Sequence, residues 1–404
     1  DGNHLLDGVP LPLHLIEFVQ HAWLNHRDPK ALVYYLPKLE NEEEAGYIAE
    51  LVRATESALG RCGRPLAGTI RLLLVFENPR AIFRIQEMAA ALHPYFVGGS
   101  LGWHDYLAST ARLFRNDPGY RIPVKADPQI VIRNIRESHG ILVRDLGALE
   151  ALKIGGMYGV LPTDGDAQSY AVSIVGFIRD VVTQLKRGLD GFWVAHPDFV
   201  RIGIALVQAW KEGVPRFEAL ASVLVPDPVE FAPLRAFIRA PDISGLSQAD
   251  PRYLRAVLAA ESGGSDLIAN HDPAEIRYNI FQALQYLADW LCGNGCVALP
   301  ATIKSASGEA VFVRVMDDLA TTERSRWELW AEVAHGRVTV AAFDAILEEE
   351  VAFIRNGVVT NIKRTQVVWA GEAARWYPIA IAVLRQLVVT KHPPEFVTEL
   401  LMPF

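Results

Sequence analysis

The sequence predicts a TIM-type (β/α)8 barrel followed by a C-terminal domain that is mainly helical. Apolar, β-branched runs alternate with amphipathic helical stretches through the first two hundred residues, a pattern typical of a parallel sheet with helical crossovers. Two of these runs end in a carboxylate, at Glu77 and Asp105. Functional side chains at the carboxyl ends of parallel strands fit the geometry of a closed barrel.

The strands and helices of the predicted barrel follow from the periodicity of apolar residues. Stretch 80–92 has apolar residues at helical spacing, and the acidic stretch 42–59 is also amphipathic. Strands are predicted at 31–37, 70–77, 94–100, 129–135, 152–158 and 192–197, with GNGCVAL (293–299) as the final barrel strand.

Proline content and patterning divide the chain into two predicted domains. The barrel occupies residues 1–300 and includes a proline-rich, partly helical insertion at about 213–273. A helix is expected from about 273 to 292, and a hairpin around Ser307-Gly308 opens the second domain. The C-terminal domain covers 301–404 and carries a third conspicuous acid, Asp318.

Composition excludes several functional classes. A net charge of −8 argues against a general nucleic-acid binder, which would show a basic stripe. No uninterrupted apolar run approaches the ~20 residues that span a membrane. Three cysteines in 404 residues suit a reducing compartment, so we expect a cytoplasmic protein.

The three acids suggest enolate chemistry. Glu77 and Asp105 supply the oxygen ligands that a hard divalent cation prefers, and Asp318 is a remote third acid of the kind that enolate chemistry needs. Simpler interpretations remain open at this point. Glu77 can cap the helix that follows it, and Asp318 can be the N-cap of a helix that starts at Leu319.

Blocks of sequence that occur in a fixed order resemble the malate synthases, in particular the shorter A-type enzymes. GWHDY stands against that family's GRWDY, IGGM against MGGM, and DGFWVAHP against DGTWVAHP. QYLADWLCGNGCV and MDDLATTERSR are similar to the family's QYxEAWxxGNGCV and MEDAATAExSR. Further matches are YYLPKLE and the acid of VFEN, so the resemblance covers nearly the whole chain.

This resemblance implies a magnesium-dependent transferase of the glyoxylate cycle. It implies Claisen condensation of acetyl-CoA with glyoxylate, or a related 2-oxoacid, to give malate or a related 2-hydroxy acid and CoA. We expect a monomer or a small homo-oligomer. Residue by residue, the resemblance assigns magnesium to Glu77 and Asp105, the catalytic base to Asp318, oxoacid binding to Gly102, Trp103 and His104, and the acyl-CoA side to Gly155, Gly156, Met157, His196 and Pro197.

Several departures from the family pattern lie near the expected pocket. The family's first barrel strand carries an RPRGWH-like motif with a substrate-binding arginine, and we expect that strand upstream of Asp1. Tyr158, Gly159 and Val160 replace small residues, and the stretch between GNGCV and MDD is longer than in the family. These departures from the family pattern keep two alternative functions open. One is a related acyl-CoA lyase or aldolase that acts on a different 2-oxoacid, and the other is a catalytically degenerate family member that binds CoA.

Four further side chains complete the prediction. Lys38 follows Leu36-Pro37 at a strand end and is expected to meet a substrate oxygen or to pair with a metal-site acid. Arg80 is expected at a solvent-facing helix position. Glu323 and Arg326 are expected to form a structural ion pair.

Overall fold

The computed structural model describes residues 5–125, 128–260, 265–360 and 367–401. The strands in these ranges are Leu5–Leu6 (β1), Val9–Pro10 (β2), Val33–Leu36 (β3), Arg71–Phe76 (β4), Phe96–Leu101 (β5), Leu152–Tyr158 (β6), Val160–Leu161 (β7), Gly191–Val194 (β8), Val297–Lys304 (β9) and Ala310–Asp317 (β10).

The helices lie between and after these strands. They are Leu13–Asn25 (α1), Glu42–Arg61 (α2), Pro79–Ile82 (α3), Ile85–Ala91 (α4), Trp103–Leu113 (α5), Pro128–Ala148 (α6), Ala167–Lys186 (α7), Asp198–Lys211 (α8), Val214–Leu224 (α9), Pro228–Arg239 (α10), Tyr253–Val257 (α11), Pro273–Leu291 (α12), Leu319–Ala334 (α13), Val340–Thr360 (α14), Gly371–Val389 (α15) and Thr398–Leu401 (α16).

A five-stranded parallel sheet positions the candidate site. Its order is β3-β4-β5-β6-β8, so each strand pairs with the next one along the barrel. The sheet curls toward closure: the ring centroids of Tyr35 on edge strand β3 and Trp193 on edge strand β8 lie 4.4 Å apart. The structure therefore confirms the predicted α/β architecture, as an open, barrel-like wall with helices outside it.

Residues 129–135 were predicted as a strand, and this prediction is wrong. They lie in α6, which runs from Pro128 to Ala148. The buried positions Asn134, Ser138, Ile141 and Leu142 recur at helical spacing. A short β-branched run fits a strand and a buried helix equally well, and here the longer helical pattern behind it decides.

The segment GNGCVAL was predicted as the final barrel strand, and the structure gives it another partner. Strand β9 pairs antiparallel with β10, and β10 pairs antiparallel with β7, so these three strands form a separate sheet. The hairpin predicted around Ser307-Gly308 is confirmed, with Gly308 at a positive φ of 87° in its turn. Eight residue pairs, from Ala310↔Lys304 to Asp317↔Val297, align the two strands of this hairpin.

Helices dominate the chain after β8. Helices α9, α10 and α11 lie within the predicted insertion, of which residues 261–264 fall outside the described part. Helix α12 begins at Pro273 with Asp272 as its N-cap, as a helix start signal predicts. A single apolar core joins α12, α14 and α15. Of the helices described, none is both long and apolar enough to cross a membrane.

Candidate active site

The carboxyl edge of the parallel sheet brings three sequence-predicted residues together. Lys38 follows β3, Glu77 follows β4, and Asp105 lies in the first turn of α5, directly after β5. The Lys38 ammonium lies 2.5 Å from Asp105 Oδ2 and 4.0 Å from Glu77 Oε1. The two carboxylates therefore flank one cation, since neighbouring parallel strands end at the same edge.

The backbone at Lys38 is shaped for this contact. Its φ of +63° lies in the left-handed region that non-glycine residues rarely adopt. In that conformation its amide N–H donates to Glu77 Oε1 at 2.5 Å, while its side chain reaches Asp105. Lys38 thus holds both carboxylates in place. Non-glycine residues with a strained, positive φ are concentrated at functional sites.

The electrostatics of the acidic pair favour a bound cation. Burial, followed by the negative charge of Asp105, raises the pKa of Glu77 well above its usual value. Burial by itself lowers the pKa of Lys38, but the charges of Asp105 and Glu77 outweigh it and raise that pKa overall. The carboxylates thus raise the pKa of Lys38 against the effect of burial, and each acid raises the cost of ionising the other.

Gly102 lets the chain pass against Glu77. A Cβ at Gly102 would overlap Glu77 Oε2 and would lie 2.8 Å from Glu77 Cβ, so only glycine fits here. Gly102 is the N-cap of α5, and the ring centroids of Trp103 and His104, the first two residues of that helix, lie 4.1 Å apart. The unpaired N–H groups of a helix start make this turn suited to an anion.

Asp318 caps helix α13 and also belongs electrostatically to the site. Its Oδ1 accepts from the backbone N–H of Ala320 at 3.0 Å and of Thr321 at 3.4 Å. Burial, followed by the charge of Asp105, raises the pKa of Asp318, and Lys38 lowers it in part. The capping interpretation is therefore correct, and it coexists with a position close to the acidic pair.

For Glu77 the capping interpretation is wrong. The N-cap of α3 is Asn78, whose side chain accepts from the Ala81 N–H at 2.8 Å. Asn78 also donates to the Leu39 carbonyl, which ties the ends of β3 and β4 together. The Glu77 carboxylate is thus left for Lys38 and the interior of the site.

The residues predicted for the acyl-CoA side lie in or directly after two other strands of the same sheet, β6 and β8. Gly155, Gly156 and Met157 lie in β6, and a Cβ at Gly155 would overlap Gln184 of α7. Close packing of α7 on β6 therefore by itself explains why residue 155 is a glycine. His196 follows β8 and accepts from the backbone N–H of Asp198 at 3.2 Å; Pro197 is the N-cap of α8.

Sequence reasoning missed a polar network behind Asp318. Lys125 donates to Gln282 and, at 2.6 Å, to Ser325 Oγ, while Gln282 Nε2 donates to Asp317 Oδ2 at 2.9 Å. Burial raises the pKa of Asp317 to about 6, and Lys125 opposes that shift. The only available signal was the run TTERSR, which is polar in sequence but buried throughout in α13.

Two minor predictions have clear outcomes. Arg80 is exposed, as expected for a solvent-facing helix position. Glu323 and Arg326 form the predicted ion pair, with Arg326 Nε at 2.7 Å from Glu323 Oε2 and both side chains buried. That pair fastens α13 to the chain around Val397, whose N–H donates to Glu323.

The side chains of the site include two carboxylates, those of Glu77 and Asp105, that could hold a hard divalent cation. Within the described ranges, no group of three or more His, Cys, Asp or Glu side chains is spaced to hold a metal. Two carboxylates remain, and Mg²⁺ commonly takes one or two carboxylates together with substrate oxygens and waters. Their shared cation, Lys38, shows that the pair accommodates positive charge.

Comparison with known proteins defines the class of this fold and site. A family model described as malate synthase, TIM barrel domain, matches residues 1–217, and one described as malate synthase, C-terminal, matches residues 270–402. The chain belongs to the malate synthase family. Its barrel-type α/β domain and helical C-terminal domain are those of this family.

Individual relatives are distant, and most of this chain aligns with them. A malate synthase of Myxococcus xanthus is 24% identical over 356 residues, which cover 85% of this chain and 57% of that protein. A glyoxysomal malate synthase of Candida tropicalis is 23% identical over 83% of this chain and 53% of its own length. The chain thus spans just over half the length of these relatives. A solved Haloferax volcanii malate synthase, in a pyruvate/acetyl-CoA ternary complex, aligns over 90% of this chain and 76% of its own, with 13% identity and a TM-score of 0.40.

Proposed function

We propose that this protein catalyses the magnesium-dependent condensation of acetyl-CoA with glyoxylate, giving malate and CoA. Family membership supports the reaction type, and the relatives named above are malate synthases. The observation that carries the proposal is a convergence from two distant parts of the chain. Lys38, Glu77 and Asp105 come from the parallel sheet, and Asp318 comes from the start of α13, yet their charges perturb one another's pKa values.

Glu77 and Asp105 would hold the magnesium ion. Both are largely buried oxygen donors, and Glu77 is oriented by the Lys38 amide. When bound, magnesium supplies Lewis-acid polarisation of the oxoacid carbonyl. Lys38, whose ammonium now bonds to Asp105, is proposed to contact an oxygen of the oxoacid.

The turn at Gly102, Trp103 and His104 would receive the oxoacid. It opens α5 beside Glu77, so an anion bound at the helix start would lie next to the acidic pair and the Lys38 ammonium. The positive end of the helix and its free N–H groups favour a carboxylate there.

Asp318 would act as the general base. Its carboxylate takes a proton from the acetyl methyl group, the resulting carbon nucleophile attacks the oxoacid carbonyl carbon, and water then cleaves the thioester to release CoA. The raised pKa of Asp318 makes it a stronger base than an exposed aspartate, and the N-cap bonds at Oδ1 hold its orientation. The acyl-CoA is proposed to lie along the second half of β6, at Gly155, Gly156 and Met157, and along His196 and Pro197 just after β8.

A different 2-oxoacid is the second candidate. The stretch between GNGCV and MDD, which the family resemblance indicates is longer than usual, forms the β9–β10 hairpin here, and its strand β10 pairs with β7 just after Tyr158 and Gly159. That insertion borders the proposed acyl-CoA side and favours an altered substrate over an altered reaction. A monomer or small homo-oligomer and a cytoplasmic location complete the proposal; low cysteine use supports the location.

Release of free CoA tests the proposal. The protein is incubated with acetyl-CoA, Mg²⁺ and either glyoxylate or a bulkier 2-oxoacid, and the thiol is detected with a chromogenic reagent. CoA release with glyoxylate that chelation of Mg²⁺ abolishes is the expected result. Release of CoA only with the bulkier acid would show that glyoxylate is not the oxoacid substrate. No release with either acid would reject the enzymatic function.

A further inference from the structure

A buried arginine packs against the proposed oxoacid-binding turn. Arg324 lies in α13, six residues after Asp318, and its side chain is fully buried. Its Nη2 donates to the Pro123 carbonyl, whereas Nε and Nη1 meet no hydrogen-bond acceptor in the part of the chain that the structure describes. The family block MEDAATAExSR leaves this position unspecified, so the resemblance assigns Arg324 no role.

The guanidinium of Arg324 lies over the indole of Trp103. Its Cζ is 5.1 Å from the centre of that ring, within the range of a cation–π contact. Trp103 in turn packs against His104, with ring centroids 4.1 Å apart. Arg324 therefore contacts Trp103, the first residue of α5, and through it supports His104.

The charged groups around Arg324 do not draw its guanidinium away from the Trp103 indole. Its charged and titratable neighbours are Glu275, Tyr278 and Glu328 on α12 and α13, with Tyr120, Lys125 and His104 on the facing segments. Glu328 forms no ion pair with Arg324 and instead accepts from Asn270 Nδ2 at 2.7 Å. A direct ion pair would draw the guanidinium off the indole, and this arrangement keeps it there.

We propose that Arg324 is a positioning residue for the oxoacid-binding turn. It fixes Trp103 and His104 at the start of α5 and joins them to α13, the helix whose N-cap is Asp318. The helix that carries the proposed base would then also orient the element that binds the acceptor. The inference rests on the proposed function only where it names the oxoacid; the fixing of the turn by Arg324 is independent of it.

Arg326 offers a matched control on the same helix. It is also fully buried and lies over a tryptophan, with Cζ 3.9 Å from the Trp327 ring. Its partners are Glu323 and the Glu395 carbonyl, which belong to the C-terminal region and not to the oxoacid turn. Loss of a buried, ring-stacked arginine is therefore common to both variants, and only Arg324 touches the turn.

The experiment compares Arg324→Met, Arg324→Lys and Arg326→Met with the wild-type protein. Hydrogen exchange of the peptide 98–106 should rise in Arg324→Met and stay at the wild-type level in Arg326→Met. The KM for glyoxylate should rise on the order of tenfold in Arg324→Met, as expected from loss of one buried cation–π contact, while the KM for acetyl-CoA stays unchanged. Arg324→Lys keeps the charge and should recover part of both effects.

Each outcome decides between positioning and general stability. Equal exchange of 98–106 in Arg324→Met and Arg326→Met, or an equal rise of both KM values, would overturn the proposal. If Arg324→Met does not fold, the same comparison between Arg324→Lys and Arg326→Met decides. A wild-type protein without turnover would reject the proposed function, and the exchange measurement would still test whether Arg324 fixes the turn.

Discussion

The carboxyl edge of the parallel sheet and the junction between β10 and α13 supply acids to the same site in different ways. At the sheet edge, Glu77 and Asp105 project from adjacent strand ends and share one lysine. At the junction, Asp318 is an N-cap, and its neighbour Asp317 is enclosed by Gln282 and Lys125 from other segments. The edge concentrates negative charge, whereas the junction orients a single carboxylate.

This difference separates two functions that both need acids. A cation site tolerates two neighbouring carboxylates because the ion offsets their repulsion. A general base needs one carboxylate with a fixed direction and a raised pKa, which burial and the charge of Asp105 give to Asp318. Substitutions in the two regions should therefore affect different measured quantities.

The largest expected effect is on turnover, from Asp318→Asn. The amide keeps an oxygen that can cap α13 but cannot take a proton. We expect kcat to fall by at least ~10²-fold, the usual size for loss of a general base, measured as CoA release at saturating substrates.

The neighbouring Asp317→Asn provides the matched control. Asp317 bonds to Gln282 and lies deeper in the protein, so its loss should reduce kcat far less. If Asp317→Asn abolishes turnover and Asp318→Asn only lowers the melting temperature, the base has been assigned to the wrong acid.

The sheet edge should respond through metal affinity. Glu77→Gln and Asp105→Asn each remove one negative charge from a pair that flanks a cation. We expect magnesium affinity to fall by about tenfold or more, since charged ligands dominate binding of a hard cation. Calorimetric titration with Mg²⁺ measures this, and unchanged affinity in both variants would reject the metal assignment.

A smaller effect on metal affinity is expected from Gly102→Ala. The new methyl group would overlap Glu77 Oε2 and push the carboxylate aside. We expect a few-fold loss of magnesium affinity and a cost of about 1–3 kcal/mol from overpacking. Gly46→Ala, where a Cβ meets nothing within 4 Å, is the control and should change neither quantity adversely.

The smallest predicted effect concerns the pH dependence of stability at the junction. Burial raises the pKa of Asp317 to about 6, above its value in an unfolded chain. Protonated Asp317 therefore favours folding at low pH, and that contribution is lost as the pH rises through about 6. Asp317→Asn cannot ionise, so it should lose less stability between pH 4 and pH 7.5, by up to ~2 kcal/mol. Denaturant unfolding at both pH values measures this, and parallel profiles would contradict it.

Local patterning explains how much of the sheet edge was predictable. The run IRLLLVFE became a buried strand with Glu77 at its end, since an apolar run bounded by an acid and a proline leaves few alternatives. The pairing of Lys38 with Asp105 was anticipated as one option, but the positive φ that lets it also bind Glu77 was not. No sequence pattern specifies such a conformation for a lysine.

The junction was less predictable because its interactions are long-range. Residues 321–326 and Glu328 are polar in sequence yet buried, and several of their partners come from distant segments, at Pro123, Lys125 and Asn270. Similarly, alternation in the sequence predicted the hairpin around Ser307-Gly308, but not that GNGCVAL runs into its first strand, β9, and so leaves the parallel sheet. Period and composition report local preference, and they carry no information about which distant segment satisfies a buried polar group.

Magnesium titration of Asp318→Asn tests most directly the claim that the two regions supply separate functions to one site. If the sheet edge holds the metal and the junction supplies the base, this variant should bind Mg²⁺ with wild-type affinity while its CoA release is lost. A parallel loss of magnesium binding would contradict the account, because it would make Asp318 part of the metal site.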